Sequence, residues 1–422
     1  MRGEDNMKIK KLFTMVISSA FLFAIAGVAS ATVSGDINIY GSSAQFNFWK
    51  AEAPKFFSAQ GCTGITSSTY DSKDVITQAT CGGSPRNFRV TSKASWDGVL
   101  AIEGNDTNVN LSVAGGPYGS GNVQCGGGGL NGGCANYNQR CMIDETTCSG
   151  GSCSGLKCVT VTAGASDVQV NSFTQQTYGQ LKGNNNGGYI HRNFTGANGI
   201  TLTPGTAEAC RELVVPFAFW VHNDVKFSNG SLVNNLTTAQ IKLIFSGQIE
   251  DWSDMAGFTA EPIQVCWRHA GSGTLATLQY AVMGSAVLQE TEDLTGPYHY
   301  YFNDGTSDEM NCVNQLSGAV GFADADVNYP TAAYASVNPV SVNGFAATAK
   351  NIAEGSYDYW SIENLYTVSP VPSDEANLCA YLAVPANVAN ADPFYAATCQ
   401  MAFTRTSDQA YLTYYGSPCG GL

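Results

Sequence analysis

The 422-residue chain carries 34 acidic and 20 basic side chains, a formal charge of −14, so nucleic acid and anionic membrane surfaces are poor partners and any anion site must work through local donors. An apolar fraction of 44% excludes wholesale disorder, and the length suits two or three domains. Four histidines without a His-Glu-x-x-His pattern, and no Gly-x-Ser-x-Gly, speak against a zinc or serine hydrolase. Neither a metal nor a cofactor is expected.

Residues 1–31 read as an export signal: Lys8, Lys10 and Lys11, then the apolar run Leu12 to Val28, then Ala29-Ser30-Ala31 as a small-residue cleavage site. No cysteine follows at Thr32, so no lipid anchor is expected, and no later apolar run reaches the ~20 residues of a membrane span. Removing four basic and two acidic residues leaves 16 against 32. Fourteen cysteines in an exported chain, none in a Cys-x-x-Cys, argue for disulfides formed in the periplasm or outside the cell.

The first element is a strand, Ile37 to Tyr40, followed by Gly41-Ser42-Ser43 and a helix with Phe46, Trp49, Ala53 and Phe56 or Phe57 on one face. Pro54 is expected to kink or end that helix. Strand, small-residue turn and helix can make a pocket at a sheet's carboxyl edge, or merely a connection. Between Gly115 and Cys158 lie glycine runs and Cys125, Cys134, Cys141, Cys148, Cys153 and Cys158, with few apolar residues. We read this as an inserted loop tied by its own bridges. Val159 to Thr162 is a strand leading into Gly164-Ala165-Ser166-Asp167, and Leu213 to Val221 is a strand buried on both faces, as in a parallel sheet. Thr237 to Phe245 is a helix opened by a Thr237/Gln240 capping box. Ile263 to Trp267 is a strand that delivers Arg268 to a Gly-Ser-Gly-Thr turn and a helix whose buried face is Leu275, Leu278 and Val282. Alternating strands and helices make the chain α/β.

Arginine before such a turn reads either as an anion pocket, fork and bared backbone N–H groups together, or as an ordinary surface turn. The order of IYGSSAQFNFW (39–49), VTSKASWDGVLAI (90–102), TAGASDV (162–168), LTTAQIKLIFSGQIEDWSDM (236–255), PIQVCWRHAGSGT (262–274) and LSGAVGFADAD (316–326) resembles the phosphate-binding proteins of high-affinity ABC importers. The resemblance implies the two-lobed, type II periplasmic binding protein fold, with mixed sheets and helices on both faces. One lobe would hold residues 32–216 and 325–422, the other 217–324, and the chain would cross near Val215 to Phe219 and Phe322 to Ala325. It also implies a phosphate held by Ser43, the Ala44 backbone, Ser95 and Asp167 from one side and Arg268, Ser272, Gly273 and Thr274 from the other. The implied partner is an ABC importer permease, with the binding protein itself a monomer. In such a fold Cys62 would pair with Cys81 and Cys266 with Cys312.

Two positions depart from the family pattern. Ala270 stands where an acidic residue commonly partners the arginine, and Ser95-Trp96-Asp97-Gly98 replaces a Gly-Ser-Ser-Gly-Gly type of loop. Asp167 either caps the next element or touches the ligand. In the second role a carboxylate, which can only accept hydrogen bonds, favours an oxyanion that carries a proton over sulfate, which does not. A different reading of the whole chain is a secreted or cell-surface interaction protein that keeps the fold without transport, its cysteine-rich segment serving as contact surface.

Overall fold

The computed structural model describes residues 33–103, 134, 136, 138–173, 177–182, 189–194, 205–268, 271–284, 299–303, 305–327, 329–389 and 394–422. The export segment, Cys125 and Ala270 lie outside them. Among the described residues the chain builds one sheet of nine strands and one of ten.

At the middle of the first sheet, β1 (Ile37–Ser42) lies between β2 (Ser84–Lys93) and β3 (Ala163–Ser166), all parallel. In the second, β4 (Leu213–His222) is followed by β5 (Gln264–Arg268), β6 (His299–Asn303) and β7 (Ala319–Asp324); β5 runs parallel to both β6 and β7. Both sheets therefore carry a parallel centre whose carboxyl ends can meet.

Every β4 residue from Leu213 to Val221 is buried, as its unbroken apolar run requires. Its neighbours are nevertheless antiparallel, Val337–Val342 on one side and β7 on the other. The parallel expectation fails because burial on both faces reports what covers a strand and not the direction of its neighbours. The first half of β4 pairs with Trp360–Ile362, the second half with β7, and the Ala325 N–H donates to the Pro216 carbonyl at 3.1 Å. The strands Thr177–Lys182, Tyr189–Phe194 and Val337–Val342 join the second sheet. Their hydrogen bonds run to β6 and β4, and no local pattern in the sequence announces such distant partners.

Helix α1 (Phe46–Ala59) continues past Pro54 instead of ending there. Phe48, Trp49, Phe56 and Phe57 are all buried along its face, so both sides of the proline are held by core contacts that outweigh the missing N–H. Helix α2 (Ser95–Glu103) lies directly on β1 and β3. That approach needs glycine: a Cβ on Gly98 would stand 2.5 Å from the Tyr40 carbonyl oxygen, and one on Gly164 would stand 2.3 Å from the Gly98 carbonyl oxygen. Helix α3 (Thr238–Phe245) opens with the expected capping box and buries Ile241, Ile244 and Phe245. Helix α4 (Gly273–Thr277) continues into a wider turn over Leu278–Val282, with Leu275, Leu278 and Val282 buried. Helix α5 (Thr306–Gln315) is tied to β5 by the Cys266–Cys312 disulfide.

The cysteine-rich segment is more than a tied loop. Gln139–Ile143 and Leu156–Thr160 form a hairpin, and its Met142 enters a small core with Tyr40 and Val99. Cys148–Ser149 and Ser152–Cys153 form a second hairpin that extends the first sheet. Its bridges are Cys134–Cys158 and Cys148–Cys153, and Cys141 is also disulfide-bonded. Elsewhere Cys62 pairs with Cys81, Cys210 with Cys379 and Cys399 with Cys419.

Candidate functional site

The carboxyl ends of the two parallel centres converge. From the first sheet come Ser42 and Ser43 after β1, Ser95 at the start of α2, and Asp167 after β3; from the second come Arg268 at the end of β5 and the first turn of α4. Asp167 and Ser95 are buried, as are Arg268, Ser272 and Thr274.

Ser95 joins the two sides. Its hydroxyl donates to Asp167 Oδ2 at 3.0 Å and accepts from the Gly273 N–H at 3.3 Å. The Trp96 N–H adds a bond of 3.2 Å to the Gly271 carbonyl. Gly273 has to be glycine here, since a Cβ would lie 2.5 Å from Ser95 Oγ and 2.8 Å from Asp167 Cβ. Asp167 caps no helix; the next helical turn is preceded by Gln169. Its Oδ1 instead accepts from the Ser42 hydroxyl and, at 3.0 Å, from the Gln45 amide.

Ser43 accepts from Arg268 Nη1 at 3.5 Å and meets the Thr306 hydroxyl at 3.2 Å, and Thr306 donates to Asp324 Oδ2 at 2.6 Å. The remaining expected donors serve the local framework in this arrangement. The Ala44 N–H bonds Ser42 Oγ, the Ser272 hydroxyl caps α4 through the Leu275 N–H, and Thr274 gives its carbonyl to the Tyr359 hydroxyl at 3.1 Å. The side chains of Trp96 and Asp97, the departures in the second loop, are engaged elsewhere. Trp96 packs edge-on against Phe173, and Asp97 forms a buried ion pair with Arg140 of the cysteine-rich hairpin at 3.2 Å. The unusual loop is thus matched to the unusual insertion.

Arg268 acts electrostatically on three buried acids. Burial raises Asp167 to about 6, against the pull of the Ser42 and Ser95 hydroxyls and of Arg268. Burial likewise raises Glu309 to about 8, opposed by Arg268, the Phe322 N–H and the Asn303 amide. Asp324 is raised by burial and by neighbouring Asp326, opposed by the Thr306 hydroxyl and Arg268. One guanidinium thus lies in the field of three buried acids of raised proton affinity. Gln45, Thr306, Glu309 and Asp324 were not picked out by sequence reasoning. Gln45 and Asp324 lay inside quoted motifs, while Thr306 and Glu309 sit in a helix start with no distinguishing pattern.

Among the described residues no group of three or more His, Cys, Asp or Glu side chains could hold a metal ion, and no helix is long and apolar enough to cross a membrane. Over 136 residues the chain is 26% identical to the phosphate-binding protein PstS of Bacillus subtilis (strain 168), a match covering 32% of this chain and 40% of that protein, so it spans less than half the length of this curated relative. It is similar in structure to an ABC-type phosphate transport receptor from Vibrio cholerae, with 22% identity, a TM-score of 0.32 and coverage of 44% of this chain and 70% of that one. A DING protein aligns over 79% of this chain and 81% of its own, with 15% identity and a TM-score of 0.40. The PBP superfamily domain matches residues 142–383, more than half of the chain. The chain belongs to the PBP superfamily, and its fold is that of a solute-binding protein.

Proposed function

We propose that the protein captures inorganic phosphate, or a closely related protonated oxyanion, between two lobes outside the cytoplasm and delivers it to the permease of an ABC importer. The observation that carries this reading is the Ser95 bridge: one hydroxyl holds Asp167 and the first N–H of α4 together, with Arg268 buried beside them. On binding, the anion exchanges these internal bonds for its own. Arg268 neutralises it, the α4 backbone and the serine hydroxyls donate to its oxygens, and Asp167 accepts the ligand's proton. The Bacillus subtilis relative is named for phosphate binding, which supports the choice of anion.

Charge-assisted hydrogen bonds contribute roughly 1.5–3 kcal/mol each, and micromolar binding needs about 8 kcal/mol, within reach of one arginine and several neutral donors once water is excluded. Calorimetry on ligand-stripped protein should give a micromolar or tighter Kd for phosphate. Arg268→Ala should weaken all oxyanions by several kcal/mol, roughly the 2–5 seen when one partner of a buried charge pair is truncated. No heat with phosphate or arsenate at millimolar concentration would reject the reading.

A further inference from the structure

Beside the site lies a cavity of about 310 Å³, lined on one side by Ser43, Lys73 and Lys93 and on the other by Thr306, Asp324 and Tyr334. It is continuous with the anion site, because Ser43 and Thr306 belong to both and Ser43 is bonded to Arg268. A single tetrahedral oxyanion needs only the room of two or three waters at about 30 Å³ each, while pockets for small organic ligands begin near ~300 Å³.

Several cations elsewhere among the described residues are engaged by acids. Arg89, Arg140 and Lys157 are held by carboxylates at the surface or in the core. The Lys93 side chain, half-buried at the end of β2, forms no ion pair or hydrogen bond among the described residues and acts electrostatically on buried Asp74, and Lys73 lies 3.6 Å from Asp308 across the cleft. The one acid among the lining residues, Asp324, is engaged by Thr306. In a chain of net charge −14, a wall with two ammonium groups, one of them unpaired, beside an arginine is matched to negative charge on the ligand.

We propose that this cavity is a second anionic subsite, so that the preferred ligand is a phosphoryl compound bearing a second anionic group, either another phosphoryl group or a carboxylate. The phosphoryl end sits by Arg268 and α4, and the second anion reaches Lys93 and Lys73. This inference rests on the anion-site reading above.

The test titrates ligand-stripped protein with orthophosphate, pyrophosphate, phosphoglycolate and glycerol 3-phosphate, for wild type, Lys93→Met and Lys73→Met. Pyrophosphate or phosphoglycolate should bind about tenfold or more tighter than orthophosphate, the scale of one charge-assisted contact; which of the two gains more tells phosphoryl from carboxylate. Glycerol 3-phosphate, whose tail is neutral, should show no such gain. Lys93→Met should erase the gain and leave the orthophosphate Kd within about twofold. Orthophosphate binding with no gain for either two-anion ligand overturns the subsite and leaves the anion site standing, as does a gain that survives both lysine variants. Failure of all four ligands overturns both readings. If a variant does not fold by circular dichroism, the wild-type ranking of the four ligands decides.

Discussion

Gly273→Ala adds one methyl group at the point where the two sheets' edges touch. The new Cβ would stand 2.5 Å from Ser95 Oγ, 2.8 Å from Asp167 Cβ and 2.9 Å from Asp167 Oδ2, against the ~3.5–4.0 Å of a relaxed carbon contact. Ser95 Oγ could swing aside only by leaving both Asp167 and the Gly273 N–H. Asp167 Cβ is fixed to its backbone and cannot rotate away at all. The α4 turn must therefore retreat by most of an ångström, and overpacking of this kind costs about 1–3 kcal/mol. The strain exists only while α4 and Asp167 are in contact, so it shifts the balance toward an open cleft. A coupling of that size lowers ligand affinity roughly 5- to 150-fold. Calorimetry with phosphate reads the affinity, and small-angle scattering on the same samples reads the separation. Wild-type affinity together with an unchanged scattering radius would refute the claim that ligand is held between Asp167 and α4.

Two further predictions concern stability. Burial holds Asp74, Asp167, Glu309, Asp324 and Glu363 above the ordinary carboxylate range, so the folded chain keeps protons that the unfolded chain releases near pH 4. Stability is then greatest below that pH and falls as pH rises through 6 to 8; acids held low, such as Asp36 and Asp224, titrate beneath this window. The Tm of ligand-free protein should drop by several degrees between about pH 5 and about pH 8, and a flat or rising Tm by calorimetry would contradict the buried-acid cluster. Asp97→Ala removes the carboxylate that pairs with buried Arg140 at 3.2 Å and should cost about 3–5 kcal/mol, most of it recovered in Asp97→Ala/Arg140→Met; urea denaturation that shows no rescue would mean the pair is not the link between α2 and the hairpin.

Much of this architecture was legible because its signals are local. The Thr237/Gln240 box, the apolar run of β4 and the stripe Leu275, Leu278 and Val282 each depend on neighbours within a turn or a strand, and each lies where its pattern put it. Strand partners did not show, because Thr177–Lys182 and Tyr189–Phe194 find theirs more than a hundred residues away on β6 or through each other. The same distance hid the surroundings of Arg268. Ala270 marks the loss of a neighbouring acid in sequence, yet Glu309 acts electrostatically on the arginine from a helix brought near by the Cys266–Cys312 bridge. Pro54 misled for the opposite reason: a local rule was overridden by the aromatic packing on either side of it.

The central claim is that Asp167 lets the cleft choose an oxyanion by its proton. Asp167→Asn keeps the shape of the side chain but replaces an obligate acceptor with a group that can also donate, so it should weaken phosphate and strengthen sulfate. Competition between phosphate and sulfate for ligand-stripped wild type and Asp167→Asn, at a pH near 8 where the Asp167 carboxyl, raised to about 6, is ionised, measures this directly. A phosphate-to-sulfate preference that falls clearly in the variant is the expected result, whereas an unchanged ratio would mean that Asp167 only braces Ser42, Gln45 and Ser95 and that the ligand is selected elsewhere.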